Sequence, residues 1–271
     1  MVRSLWTAAS GMKAQQTNVD NISNNLANVN TTGFKKETVE FKSLLYQNLQ
    51  SVSTNNAGEE KPIPAQVGLG TRVASITSSF TQGNLTASSN PFAMAIEGNG
   101  FFQVRGEDGE IYYTRDGNFS VSVVNGGSML CTSKGEPLLD TAGNPIVIPN
   151  GYDASKLSMD TYGNMFLEQP INGEIVAMNQ QVGLVQFNNP AGLEKVGGSL
   201  FRQTVASGMP VGENTGIVTR SKIHQKYTEA SNVAVVDEMV NLIVAQRAYE
   251  MNSKAISASD DMLQQANNLR R

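Results

Sequence analysis

Apolar residues recur at helical spacing at both ends of this chain, while the middle alternates at strand spacing. Near the start, Leu5, Ala8, Met12, Val19, Ile22, Leu26 and Val29 fall on alternating three- and four-residue steps, with Gln15 the one interruption. Near the end, Val235, Leu242, Tyr249, Ile256 and Leu263 stand seven apart, joined by Met239 at a four-residue step. A stripe this narrow is the seam of a helix that needs a partner, because it cannot bury itself. The first pattern predicts a helix from about Ser4 to Asn30, stopping at Thr31-Thr32-Gly33, where glycine supplies a left-handed exit. The last begins near Ser231-Asn232, carries Asp237 and Glu238 in its early turns, and closes on Arg270-Arg271. That is the charge order a helix dipole prefers. At 1.5 Å per residue such a helix reaches roughly 50 Å, long for a small globular domain.

Between the helices, Phe34 to Leu49 contains Phe41, Leu44, Leu45 and Leu49 and reads as a short helix or an extended segment. Residues 51–64 are turn formers with almost no apolar side chains, which makes them a loop or linker. From Gly68 to about Arg220, short runs such as Phe101-Phe102-Gln103-Val104, Ile111-Tyr112-Tyr113-Thr114 and Phe119 to Val123 alternate with turn pairs. The pairs include Asp108-Gly109, Asp116-Gly117, Asn125-Gly126, Lys134-Gly135 and Gly163-Asn164. Such spacing predicts antiparallel strands in a sandwich or barrel-like module. The expected class is α+β: a discontinuous, coiled-coil-like helical domain from both termini plus an all-β central domain. The expected boundaries are 1–33 and 225–271 for the helices, 34–70 for an extended connection, and 71–224 for the β-rich part.

Two further files change that picture. Asn18, Asn21, Asn25 and Asn28 repeat the three-four step one residue before part of the apolar seam. Asn is a poor interior helix former, costing about 0.6 kcal/mol against Ala. The stripe is either a solvated face or an amide ladder at a helix–helix boundary, where Asn both donates and accepts; the ladder is favoured. At the other end Ala248, Ala255, Met262 and Leu269 are also seven apart, and small residues there would admit a close neighbour. A bundle of the two terminal helices within one chain is equally compatible with these repeats.

Composition removes most chemistry. The 271 residues carry a net charge of −4, with 16% charged, so there is no basic footprint for nucleic acid. No apolar run approaches the roughly 18 residues of a membrane span. The N-terminus runs straight into the helical repeat, so an ordinary cleaved secretory signal is not expected. One cysteine, Cys131, excludes an intramolecular disulfide, and one histidine, His224, removes most metal sites and general-base schemes. Gly98-Asn99-Gly100 and Gly68-Leu69-Gly70 lack the third glycine and the following helix of a phosphate loop. Asp108, Asp116 and Asp140 lie by turn glycines, where Asp commonly serves local hydrogen bonding. No catalytic group, cofactor site, metal site or small-molecule substrate is expected; the rival class is a soluble β-domain enzyme or carbohydrate-binding module with helical extensions.

The run Asn24-Asn25-Leu26-Ala27-Asn28-Val29-Asn30-Thr31-Thr32-Gly33-Phe34-Lys35 resembles the N-terminal signature of the bacterial flagellar axial family of rod, hook and hook-associated subunits. The resemblance continues upstream through Ser4-Leu5-Trp6, Gly11 and Ala14 to Asn18. Downstream, Gly98 to Val104 and Tyr113 to Phe119 are similar to that family's middle domain. Ser231 to Val233, Glu238 to Val244, Gln246 to Glu250 and Asn252 to Ala255 are similar to its C-terminal helix. Within the family the likeness runs closest to the distal rod branch, through the size of the middle domain and the segment Phe41 to Gln47 followed by a polar stretch to Pro64. The resemblance implies that this segment stiffens the tube relative to the flexible hook.

The resemblance implies a subunit exported unfolded through the flagellar type III apparatus that polymerises helically into a periplasm-spanning drive shaft. Its implied partners are further copies of itself, proximal rod proteins, the hook protein, and the bushing rings in the peptidoglycan and outer membrane. A proximal rod or hook-type subunit is the alternative within the family. The expected subunit interface comprises Leu5, Ala8, Met12, Val19, Ile22, Asn25, Leu26, Asn28 and Val29 with Val235, Met239, Leu242, Tyr249, Ile256 and Leu263, pairing within and between subunits.

Overall fold

A computed structural model of the protein describes residues 2–50, 65–124, 126–169 and 174–269. The expected loop over 51–64, the turn residue Asn125 and the closing Arg270-Arg271 pair lie outside them. Among the described residues, two α-helices and many short strands make the chain a mixed α+β protein. Helix α1 spans Val2–Ala27 and helix α2 spans Val235–Asn268. Each stops short of its expected inner end. After Ala27 the chain turns through 28–33, and Gly33 supplies the positive φ of 66° only there, beyond the helix. Helix α2 begins at Val235 because Asn232, which the sequence placed at the helix start, spends its amide on strand-connecting backbone instead of capping. None of the described helices is long and apolar enough to cross a membrane.

Contacts divide the chain into two units. The helical unit takes Met1–Ala27, Glu37–Ser78 and Ala234–Arg271; the β unit takes Asn28–Lys36 and Ser79–Val233. These divisions follow strand pairing, and they cut the chain at other points than the periodicity does. In the helical unit, Glu37–Ser43 pairs antiparallel with Thr71–Ser78 through a bulge at Glu40/Phe41, and Tyr46–Gln50 pairs with Ala65–Gly68. The segment from Phe34 is therefore extended from Glu37 onward, not helical.

The β unit is built on a six-stranded sheet. Its strands run in the order Glu194–Gly197, Leu200–Arg202, Ile111–Thr114, Phe101–Arg105, Leu184–Gln186, Val211–Gly212. Two three-stranded sheets are inserted in sequence between its strands Ile111–Thr114 and Leu184–Gln186, one around Gly127–Cys131 and one around Asn164–Glu168. Successive side chains on a strand point to opposite faces, and here both faces are covered. Phe102, Tyr112, Leu184 and Leu200 enter the larger core, while their neighbours Phe101, Tyr113, Val185 and Phe201 enter a second cluster with Phe187. That double burial explains why these strands read as apolar doublets and not as alternation. Edge-on aromatic contacts fasten the second cluster, Phe101 meeting Phe80 at 5.5 Å and Phe187 at 5.7 Å between ring centres.

Candidate functional site

The two helices run antiparallel, and their closest file is small and polar. Ser4 Oγ lies 3.2 Å from Ser259 Oγ. A Cβ on Gly11 would stand 2.9 Å from Asn252 Nδ2, so glycine is what lets the helices approach there. Asn25 Nδ2 donates to Glu238 Oε2 at 3.3 Å. These contacts climb α1 by seven or fourteen residues as they descend α2 by the same step, which sets Asn18 opposite Ala245. Glu238, Ala245 and Ser259 are the buried residues of α2. The inward file is thus not the Ala248, Ala255, Met262, Leu269 series that the repeat suggested, where Met262 is 52% and Leu269 89% exposed. A search for apolar periodicity passes over Ser, Asn and Glu, although short and hydrogen-bonding side chains are what a close helix contact accepts.

Asn25 is the hub of the asparagine stripe. Its Oδ1 accepts the Glu37 backbone N–H at 2.9 Å and its Nδ2 donates to the Glu37 carbonyl at 2.8 Å, so the amide behaves as one more strand residue. Asn21 and Asn24 each donate to Glu37 Oε2 at 3.3 Å. Asn28 instead serves the turn, its Oδ1 accepting from the Thr31 hydroxyl at 3.1 Å.

The residues expected at the interface separate into three groups. Ala8, Ile22 and Asn25 are buried inside the chain. Leu5, Met12, Val19, Leu26, Leu242, Ile256 and Leu263 are half-buried, as are Asn28 and Val29 in the β unit. Val235, Met239 and Tyr249 are exposed. The half-buried series keeps the seven-residue step on both helices, and Val19 and Tyr249 line an open groove of about 390 Å³ with Gln16, Gln246 and Glu250. Elsewhere on the two helices are apolar side chains that the repeat search missed: Val236, Val240, Ile243, Val244 and Met251 on α2, and Trp6 on α1, all more than half exposed. They fall off the seven-residue file; the signal for them is the sheer apolarity of Val235 to Val244.

The β unit hides a second arrangement, made of charges. Lys35, Arg115 and Glu229 are almost fully buried. Glu229 Oε1 accepts from Lys35 Nζ at 2.7 Å and Oε2 accepts from Arg115 Nη1 at 3.3 Å. Arg115 also donates to the Gly98 carbonyl at 2.7 Å and lies over the Phe101 ring at 5.1 Å. Burial pulls Lys35 and Arg115 below their ordinary pKa values, and Glu229 beside them acts in the opposite direction. Gly33 fits this corner because a Cβ in its left-handed conformation would stand 2.6 Å from the backbone of Arg115 and Asp116. Elsewhere the candidate chemical groups serve structure. Asp140 Oδ1 accepts from Ala142 and Asn144 N–H, Asp116 Oδ1 accepts from Asn118 N–H and the Thr32 hydroxyl, and buried Cys131 donates to the Ser120 carbonyl. His224 meets Glu97 at 2.8 Å, and that bond holds the Glu97 carboxyl below its usual range.

Three family models match the chain. Residues 5–35 match the flagella basal body rod protein family, 95–167 the D1 domain of the flagellar hook protein FlgE/F/G family, and 224–269 the C-terminal region of the flagellar basal body rod FlgEFG proteins. Among curated proteins, the chain is 42% identical to the flagellar basal-body rod protein FlgG of Borreliella burgdorferi, covering 100% of both chains. It is 40% identical to FlgG of Caulobacter vibrioides over 99% of this chain and 100% of that one. To FlgG of Bacillus subtilis it is 36% identical over the whole of both.

Proposed function

The chain belongs to the FlgG family of flagellar basal-body rod proteins, and we propose that it is the structural subunit of the distal rod, polymerising helically into a stiff shaft. In this reading it spans the periplasm, reaches its place through the flagellar export apparatus, and carries torque from motor to hook. The terminal helices supply the coiled-coil-like contacts between subunits. Its neighbours are copies of itself, the proximal rod and hook proteins, and the bushing rings. The work is mechanical; Asp116, Asp140, Cys131 and His224 are engaged in turns and local pairs.

The observation that carries this reading is the uncovered apolar surface of α2, on the side of the helix away from its inward file. Fully burying a side chain such as Ile243 or Val244 contributes about 1.5–3 kcal/mol. Bringing two chains together costs roughly 4–15 kcal/mol. Several such side chains must therefore be covered at once, by more than one neighbour, before association is favourable. A contact that joins different faces of identical subunits does not close, and it generates a helical filament. The proposed interface comprises Leu5, Met12, Val19 and Leu26 with Leu242, Tyr249, Ile256 and Leu263, joined by Val235 and Met239, and on the outer side of α2 by Val236, Val240, Ile243 and Val244.

Electron microscopy of purified full-length protein tests this. Leu26→Asp and Leu242→Asp each put a carboxylate into the seam, and each is expected to abolish tube formation while the near-ultraviolet dichroism of the β unit stays unchanged. Intact tubes from either variant would remove the seam from the interface.

A further inference from the structure

The chain enters and leaves the β unit through three stretches, Asn28–Lys36, the segment starting at Ser79, and the segment ending at Val233. Within that unit all three are tied to one another. Glu229 accepts the Gly33 N–H on its carbonyl at 2.8 Å, and its Oε1 accepts both Lys35 Nζ at 2.7 Å and the Gly83 N–H at 2.9 Å. Lys35 Nζ also donates to the Thr81 carbonyl at 2.8 Å. Asn232 repeats the pattern. Its Oδ1 accepts the Lys36 N–H at 2.7 Å, and its Nδ2 donates to the Ser79 carbonyl at 2.9 Å and the Thr81 hydroxyl at 2.8 Å. The Ser79 N–H closes the set on the Lys36 carbonyl at 2.8 Å.

We infer that Lys35, Glu229 and Asn232 form a clamp, which makes the three connecting stretches carry torque together instead of one after another. The inference rests on the rod reading above. Cohesion alone does not call for charge here, since buried ion pairs are often matched in stability by apolar groups of similar volume. Charge-assisted hydrogen bonds add something apolar contact lacks: a fixed direction and distance between particular backbone segments. A connector held only by packing can slide; one whose N–H and C=O groups are bound by buried side chains must break several bonds at once.

Two variants of the full chain separate the clamp from simple stability. Lys35→Met removes one positive charge and leaves Glu229 paired with Arg115 and Gly83; Asn232→Ala removes no charge. Both are expected to melt a few degrees below the parent and to stay folded at the assay temperature, while amide exchange at Gly33, Lys36 and Gly83 quickens by about tenfold. Placed on the chromosome in the native host, each should build rods of ordinary length that turn a tethered bead normally at low load. As viscosity rises, their flagella should stall or shear several-fold more often than the parent's. Variant rods that hold torque up to stall load overturn the clamp. Immunogold labelling of the parent chain in isolated basal bodies keeps the two readings apart. Its absence from the rod overturns the rod reading and the clamp with it, whereas labelled rods with load-tolerant variants overturn the clamp alone.

Discussion

The helical unit and the β unit of this chain fill their interiors by different rules. In the β unit Phe101, Phe102, Leu130, Leu138, Leu139 and Ile146 have no exposed surface. Among the described residues of the helical unit, the buried apolar side chains are Ala8, Ala14, Ile22 and Ala245, and beside them lie buried Asn21, Asn25, Glu238 and Ser259. Alanines and amides remove little apolar area from water, so the helix pair gains register from its inner file and little free energy. Its larger side chains, Val236, Val240, Ile243 and Val244, face outward. The β unit completes its own core, whereas the helical unit leaves apolar surface uncovered, the surface that neighbours cover in the proposed filament. In a shaft subunit this division is useful: one part is already folded when the other part becomes the joint.

The sharpest way to break the comparison is to hollow each part separately. Phe102→Ala is expected to destabilise the β unit by about 3–5 kcal/mol, because the ring is fully buried and its cavity cannot collapse. Denaturant titration followed by near-ultraviolet dichroism reads this; simultaneous loss of the helical far-ultraviolet signal at the same midpoint would mean that the two units fold as one. A smaller effect is expected on the other side. Asn25→Ala leaves the Glu37 N–H and carbonyl without their side-chain partner and strips a donor from Glu238, at a cost of about 1–3 kcal/mol. Thermal melting of the helical signal should shift while the β transition stays in place, and a shift in both would show that Asn25 supports more than the helix pair.

The smallest effect is with acid. Asp108 is held below its ordinary value of 3.8 chiefly by the Tyr112 hydroxyl, and Asp153 by the side chain and then the N–H of Ser155. Folding lowers both pKa values, so the native state binds these protons less readily than the unfolded chain. Their contribution is complete above the ordinary value and is lost as pH falls through the depressed folded values. Both carboxylates belong to the β unit. Its urea midpoint should stay level through mild acidity and fall below about pH 4, and Asp108→Asn should flatten part of that fall; an unchanged slope in the variant would assign the acid sensitivity to other groups.

Much of this protein was legible in local pattern. Spacing of Leu5, Met12, Val19 and Leu26 predicts α1, and the turn pairs around Gly109, Gly117 and Gly163 predict a strand-rich middle. The signature from Asn24 to Lys35 pointed to the flagellar axial family, and the comparisons place the chain there. The asparagine stripe announced a polar helix–helix contact, which Asn25 makes with Glu238 of α2, whereas Asn21 bonds Glu37 of the adjoining strand and Asn28 serves the turn. What escaped was the inward file of α2, because Glu238, Asn252 and Ser259 look like solvated residues to any hydrophobicity pattern. Lys35, Arg115 and Glu229 escaped for the same reason, although each stands in or next to a segment that resembles the family.

The division has a physical cause. Helix and strand periods are set by backbone geometry within a few residues, so the sequence by itself determined where α1, α2 and the strand-rich middle lie. Whether a polar side chain turns inward depends on what waits to meet it, and those partners are far away along the chain. Asn25 meets Glu238 across 213 positions and Lys35 meets Glu229 across 194. A lone buried charge or amide is costly, and the cost disappears only when its partner arrives. Only the tertiary structure, which brings those partners together, decided which polar residues became the register of the helix pair and the clamp of the β unit.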